Sequence, residues 1–144
     1  MCEAHEQAAG LDCRTGRQPM KLYKLTDAND RTHNGCQWGP NVTVETSGEG
    51  ELCGEGFTHW YTNPLLAVLL NLTHANFDLS TAHLWEGEGE IVKDDSGLKV
   101  GCAKATTLRR IPVPEVTDEQ RVKFGILCSL QVPQEMAYVE WANN

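Results

Sequence analysis

Phe57-Thr58-His59-Trp60-Tyr61-Thr62-Asn63-Pro64-Leu65-Leu66-Ala67-Val68-Leu69-Leu70 decides how the rest of the chain is read. Its first five residues are aromatic and β-prone, which suits a half-buried strand. Asn63 then offers a side-chain oxygen to cap a helix, and Pro64 fits the first helical position, where no backbone N–H is needed. Leu65 to Leu70 are apolar nearly all round, so the expectation is a core helix over 64-75.

The text on either side reads as strands. Upstream, Leu22, Tyr23, Leu25 and Thr26 predict a short strand closed by the turn cluster Asp27-Ala28-Asn29-Asp30, and Asn34-Gly35 is a further turn signal. Val42 to Thr46 alternate as a strand, and Leu52-Cys53 reads as a brief one after Ser47-Gly48-Glu49-Gly50. Downstream, His83-Leu84-Trp85 and Ile91-Val92 bracket Glu86-Gly87-Glu88-Gly89-Glu90. Period-two alternation sets the three glutamates on one side of an extended segment, and the facing glycines permit close backbone approach or a bulge. After the turn Asp94-Asp95-Ser96-Gly97, strands are expected at 98–102 and 106–113, the latter ending near Pro112 and Pro114. Thr117-Asp118-Glu119-Gln120 is a capping box that opens a helix carrying Val122, Phe124, Ile126, Leu127 and Cys128. Met136, Ala137, Val139 and Trp141 suggest a short terminal helix. Strands, helix, strands, helix predict an α+β fold: a single domain with a mostly antiparallel sheet, one buried helix (64-75) and C-terminal helices.

With 144 residues the chain has the size of about one domain. Residues 1-19 are polar and without periodicity, so they read as a loose N-terminal extension to a domain over 20-144. Hydrophobic residues at 40% and charged residues at 22% exclude a disordered, collagen-like or coiled-coil chain. The apolar run Leu65–Leu70 falls far short of the ~18–20 residues of a membrane span. Residues 1–19 hold no apolar leader segment, which points to a cytoplasmic, reducing compartment. The cysteines Cys2, Cys13, Cys36, Cys53, Cys102 and Cys128 are accordingly expected as thiols, with Cys102 and Cys128 as small core residues.

Charge is distributed unevenly. Lys and Arg number 12 against 20 Asp and Glu, a net −8. Residues 1–31 hold five acids and five bases, and residues 93–144 hold seven of each. Thr32 to Val92 hold eight acids (Glu45, Glu49, Glu51, Glu55, Asp78, Glu86, Glu88, Glu90) and no Lys or Arg, so the whole imbalance lies there. Direct nucleic-acid binding is disfavoured, because phosphate contacts need clustered bases and Arg109-Arg110 is too small a cluster. A one-signed stretch reads either as a solvated face that aids solubility or as a patch that steers association with a basic partner; on the second reading Glu49, Glu51, Glu55, Glu86, Glu88 and Glu90 are the expected partner-binding residues.

No catalytic set, cofactor or metal is expected. The C-x₂-C and H-x₃₋₅-H spacings that define structural zinc sites are absent from the placement of Cys36, Cys53, His59, His74 and His83. Cys53 and His59 lack a third group to orient them as a nucleophile pair, so His59 reads as a packed, hydrogen-bonded histidine. Nucleophile-elbow, Walker A and dinucleotide fingerprints are absent.

From Lys21 to about Val132 the chain resembles a family of short phage and prophage proteins of unknown function. The resemblance runs through Tyr23-Lys24-Leu25-Thr26-Asp27, Gln37-Trp38-Gly39, Leu52-Cys53 before Gly56-Phe57, and His59-Trp60-Tyr61 before Asn63-Pro64-Leu65. It continues in Leu84-Trp85-Glu86, Lys99-Val100-Gly101 and Ile111-Pro112-Val113-Pro114 before Glu119-Gln120-Arg121. It implies a phage-derived acidic binding protein in a bacterial host, one that inhibits a defence complex in the manner of an anti-CRISPR protein by occupying a basic, nucleic-acid-binding surface. Phe57 to Pro64 running into a core helix also resembles the middle of an ADP-ribosyltransferase-like domain. That implies an alternative, an NAD-using enzyme modifying a host protein, with His59 and Tyr61 as the residues carried over. The Ser-Thr-Ser of that pattern is absent, and its late glutamate has only Glu115 as a counterpart.

Overall fold

β4 (His83–Asp94) and β5 (Val100–Ile111) form the long antiparallel hairpin on which the other strands assemble. Its turn is built by local chemistry. Asp94 Oδ1 accepts from the Gly97 N–H at 2.7 Å, and Ser96 and Gly97 take φ of 50° and 82°. Each long strand joins two segments that the sequence suggests are separate. The Glu-Gly alternation does not interrupt β4; it bends it, with register shifts at Glu86/Gly87, Gly89/Ile91 and Ile91/Lys93.

This is a computed structural model describing residues 19–131 and 141–143. Of the expected extension over residues 1–19, all but residue 19 lies outside the described residues, as does most of the expected terminal helix. β1 (Met20–Thr26) pairs with β4 along its whole length. β2 (Val42–Glu45) and β3 (Thr58–Trp60) follow one another along the opposite edge of β5. Tyr61, one residue past β3, then exchanges backbone hydrogen bonds with Tyr23 of β1, at 2.8 and 2.9 Å. The order β1-β4-β5-β3 thereby closes on itself, so the α+β domain is built on a five-stranded antiparallel sheet curled into a ring.

Curling creates two apolar layers. Inside lie Leu22, Trp38, Trp60, Val100, Cys102 and Ala105. Trp60 is wholly buried, and Trp38 meets it edge to face at 5.3 Å. The glycines of β4 make room for this filling. A Cβ on Gly87 would stand 2.8 Å from the Trp60 ring and closer still to the Thr106 carbonyl. The outer layer joins Leu25, Tyr61 and Leu84 to α1 (Pro64–Leu69) through Ala67 and Leu70.

Asn63 caps α1 as expected, accepting from the Leu65 N–H at 2.9 Å. The helix expected over 64-75 breaks at Leu70 (φ −91°, ψ 2°) into α1 and α2 (Asn71–His74). The cause is Asn71, buried and bonded through both ends of its amide to the Phe77 backbone, at 2.8 and 2.9 Å. Nor is the helix buried all round: Leu65 is 44% and Leu72 71% exposed. Leu52-Cys53 is a turn and not a strand, inside a loop closed by Gly48 N–H to the Gly56 carbonyl at 2.8 Å. The capping box opens α3 (Asp118–Ser129), with Thr117 and Gln120 bonding one another's backbone at 2.9 and 3.2 Å. α3 buries no residue completely, and Cys128 is exposed where a core position was expected; Cys102 is in the core. No helix among the described residues is long and apolar enough to cross a membrane.

Adding one methyl group at Gly87 forces Trp60 or β5 to move. Gly87→Ala is expected to lower unfolding stability by about 2–3 kcal/mol, the usual cost of overpacking a filled core. Urea denaturation followed by tryptophan fluorescence measures this, and an unchanged midpoint refutes the packing.

Candidate functional site

Strand periodicity sends Leu22, Lys24 and Thr26 to the inner side of β1, and all three are buried. Lys24, 6% exposed, therefore enters an aromatic interior. Its Nζ lies 4.9 Å from the ring centroids of both Trp38 and Trp60 and donates to the His59 carbonyl at 2.5 Å. No carboxylate bonds it among the described residues. An ammonium carries three N–H donors, and His59 O is the one hydrogen-bond acceptor the amine meets among the described residues. Burial lowers the Lys24 pKa from 10.5 to about 8, against a smaller opposing effect of the Cys36 and Cys102 thiols.

Lys24 forms part of the wall of a cleft of about 780 Å³. The cleft runs between the loop over 32–38, the closed loop over 46–57, β3 and the α1–α2 segment. Its cationic and imidazole groups are Lys24, Lys99, His33, His59 and His74, against a single carboxylate, Glu55. Lys99 is buried to 9% exposure and donates to Cys53 Sγ at 3.3 Å. His59 Nε2 bonds the Leu52 carbonyl, which fixes that nitrogen as the protonated one. Burial lowers the His59 pKa, and Lys99 and Lys24 lower it further, outweighing the Leu52 carbonyl. The Tyr61 hydroxyl and His74 Nδ1 share a hydrogen bond of 2.6 Å, and their rings stack. Burial pushes the phenol up to about 12 and, with Lys99, lowers the imidazole, although Asp95 acts to raise it. At neutral pH both histidines are neutral, and the lysines supply the positive charge.

One carboxylate fastens the rim. Asp30, at a positive φ of 60°, accepts from His83 Nδ1 at 2.8 Å, Trp85 Nε1 at 3.0 Å and Arg110 Nη2. Burial opposes its ionisation, yet these three bonds hold the carboxyl below its ordinary range. Its carbonyl accepts the Trp38 N–H at 2.8 Å and so ties the loop that carries Trp38 inward.

The acidic residues singled out in the sequence divide between two elements. Glu86, Glu88 and Glu90 share the outer side of β4, as the alternation predicts. Glu86, however, sits between Arg109 Nε at 3.1 Å and Lys21 Nζ at 3.4 Å. Glu88 faces Lys21 across the β1 ladder, and Glu45 pairs with Lys104 at 2.7 Å. Strand pairing thus returns bases from both ends of the chain to the acidic middle. Glu49, Glu51 and Glu55 are exposed on the 46–57 loop, with no ion pair among the described residues. His59 and Tyr61 do face the cleft, although both are held by internal hydrogen bonds. Lys24 and Lys99 escape a reading from sequence as site residues, and His74 is weighed there only as a metal ligand. The available signal is Lys24 lying two residues from both Leu22 and Thr26, on the face they bury.

Fold and cleft together define a small α+β domain with a cationic recess inside an acidic protein. The chain belongs to a family described as a domain of unknown function, DUF7666, whose model matches residues 20–119. That span holds the whole sheet and every residue lining the cleft, and it ends at the start of α3. No curated protein and no solved structure matches the chain. Membership of a family without assigned chemistry accords with the sequence resemblance that far; it lends nothing to a phage origin, an anti-CRISPR role or an ADP-ribosyltransferase likeness.

The lowered pKa of Lys24 has a definite sign in stability. Between pH 8 and about 10.4 the unfolded chain keeps a proton that the folded chain has released, so this group stabilises the fold as pH rises. Below pH 8 its burial costs on the order of 3 kcal/mol. Cys102, pushed up by burial to about 11, and Tyr61 act in the opposite direction above pH 9. Lys24→Met keeps the packing between the tryptophans; it is expected to be more stable than wild type at pH 7, with the gap narrowing towards pH 10. Parallel urea titrations at pH 7 and pH 9.5 measure the difference.

Proposed function

We propose that this domain is a binding module for a small anionic molecule, held in the cleft between β3, the 46–57 loop and the α1–α2 segment. The observation that carries this reading is the inversion of charge. In a chain of net charge −8, the cleft wall sets two buried lysines against one carboxylate, with three histidines beside them as hydrogen-bonding groups. Buried amines bond carboxylate or phosphate oxygens strongly, because both partners are charged and little water competes. Trp38, Phe57 and Phe77 supply the apolar walls that small-molecule sites share, and 780 Å³ lies within the usual ~300–1,000 Å³ range of such sites.

Calorimetric titration with phosphate, citrate and NAD at low salt tests the reading. Binding of at least one anion is expected, weakened about tenfold or more by Lys99→Gln and reduced by added chloride. Absence of binding by all three, or equal affinity in the variant, refutes it. NAD also probes the alternative of a transferase acting on a host protein. NAD binding with no release of nicotinamide in the presence of host lysate removes that alternative.

A second reading, inhibition of a host defence complex through its basic surface, is favoured by the exposed, unpaired Glu49, Glu51 and Glu55. Reversing these three to lysine is expected to slow association with such a complex about tenfold at low salt, with the difference fading as salt rises. Glu86→Lys serves as the contrast, since Glu86 already has two internal partners. Equal inhibition by wild type and the triple variant at low salt refutes the acidic-loop docking.

A further inference from the structure

Lys24 has a property that anion binding alone does not require. An amine that serves only as a positive charge is best left protonated, with acceptors for its three N–H bonds. Here the Nζ meets one acceptor, the His59 carbonyl, and two indole faces. With one acceptor and no carboxylate among the described residues to hold its proton, the amine gives that proton up more readily than an exposed lysine does; once neutral, it keeps one N–H on His59 O and carries a lone pair. Lys24 also belongs to the cleft wall, so a ligand held in the cleft lies against its side chain.

We infer that Lys24 forms an imine with a carbonyl compound that carries an anionic group, the amine attacking the carbonyl while Lys99 holds the anion. This inference rests on the cleft being an anion site. In the step itself, the Nζ lone pair forms a bond to the carbonyl carbon, the C=O π pair moves to oxygen, and one proton passes from the now positive nitrogen to that oxygen. The carbinolamine then loses its hydroxyl as water, a proton from nitrogen completing the balance. No oxidant or reductant takes part. Because Lys24 and Lys99 line one cleft, the ligand class inferred is a small keto acid or aldehyde acid that offers its carboxylate to Lys99 and its carbonyl to Lys24.

Burial supports the chemistry by lowering the Lys24 pKa to about 8, so about a tenth of the amine is neutral at pH 7. An exposed lysine is neutral to only about 0.04% there. The lysines Lys21 and Lys104, both exposed on the outer face, are internal references.

Glyoxylate with cyanoborohydride is the probe, because hydride addition converts any imine to a stable carboxymethyl amine that peptide mass spectrometry locates. Binding is followed in parallel through the NMR signals of the tryptophan indole N–H groups. Lys24 is expected to be labelled at least about tenfold faster than Lys21 and Lys104 at pH 7, with glyoxylate outpacing neutral acetaldehyde. Lys99→Gln is expected to remove that preference for glyoxylate while leaving acetaldehyde labelling of Lys24 in place. Shifted indole signals without labelling at Lys24 overturn the imine and leave the anion site standing. Neither shifts nor labelling overturns both. Equal labelling of Lys24 by glyoxylate and acetaldehyde keeps the reactive amine but overturns the anion-directed ligand class.

Discussion

The contact of Trp60 with Gly87 is the constraint on which the structure turns. A sheet of this size encloses an interior only if its strands bend sharply, and an interior that narrow admits one large ring only if the facing position has no side chain. Gly87 gives that room, and Trp60 fills it completely. The same seating brings Tyr61, the next residue, to the Tyr23 backbone, where two hydrogen bonds close the ring of strands. Closure removes the edges that a short strand such as β3 would otherwise leave unpaired. It also directs the chain from Tyr61 straight into the capped helix beside it.

Lys24 follows from this arrangement. Once β1 is closed against Tyr61, its inner side chains are buried, and the one at position 24 ends beside Trp38 and Trp60 at the wall of the cleft. The fold accepts a buried amine there because aromatic faces and one carbonyl offset part of its desolvation. Lysine at this position reduces stability at neutral pH, and that cost is the physical reason to read it as functional and not as filler. Lys99 is different. It lies at the start of the β5 side, bonded to a thiol in place of a carboxylate, and so remains able to hold a ligand's anion.

Much of the fold is legible in the chain because the decisive signals are local. Asn63-Pro64 and Thr117 with Gln120 are caps whose partners lie within three residues, and both form as the sequence predicts. The glycines at 87 and 89 announce close approach, although not what approaches. Non-local partners set what is illegible. Asn71 breaks the expected helix by bonding to Phe77, and its neighbours give no sign of that. The acidic stretch loses its uniform sign when Lys21 and Arg109 arrive on adjacent strands at Glu86 and Lys104 at Glu45. The cleft is hidden for the same reason: β1, two loops, β3 and a helix pair each contribute only a few groups to it.

Asp30 adds a mechanical dimension. Its carboxylate joins Arg110, on an exposed stretch of β5, to His83 and Trp85 at the start of β4, while its carbonyl holds Trp38. The loop that forms one rim of the cleft is thus anchored from the far end of the hairpin, outside the cleft itself. Changes at Arg110 can alter the aperture without touching any residue that lines it. Such an anchor lets the opening be adjusted separately from the chemistry within.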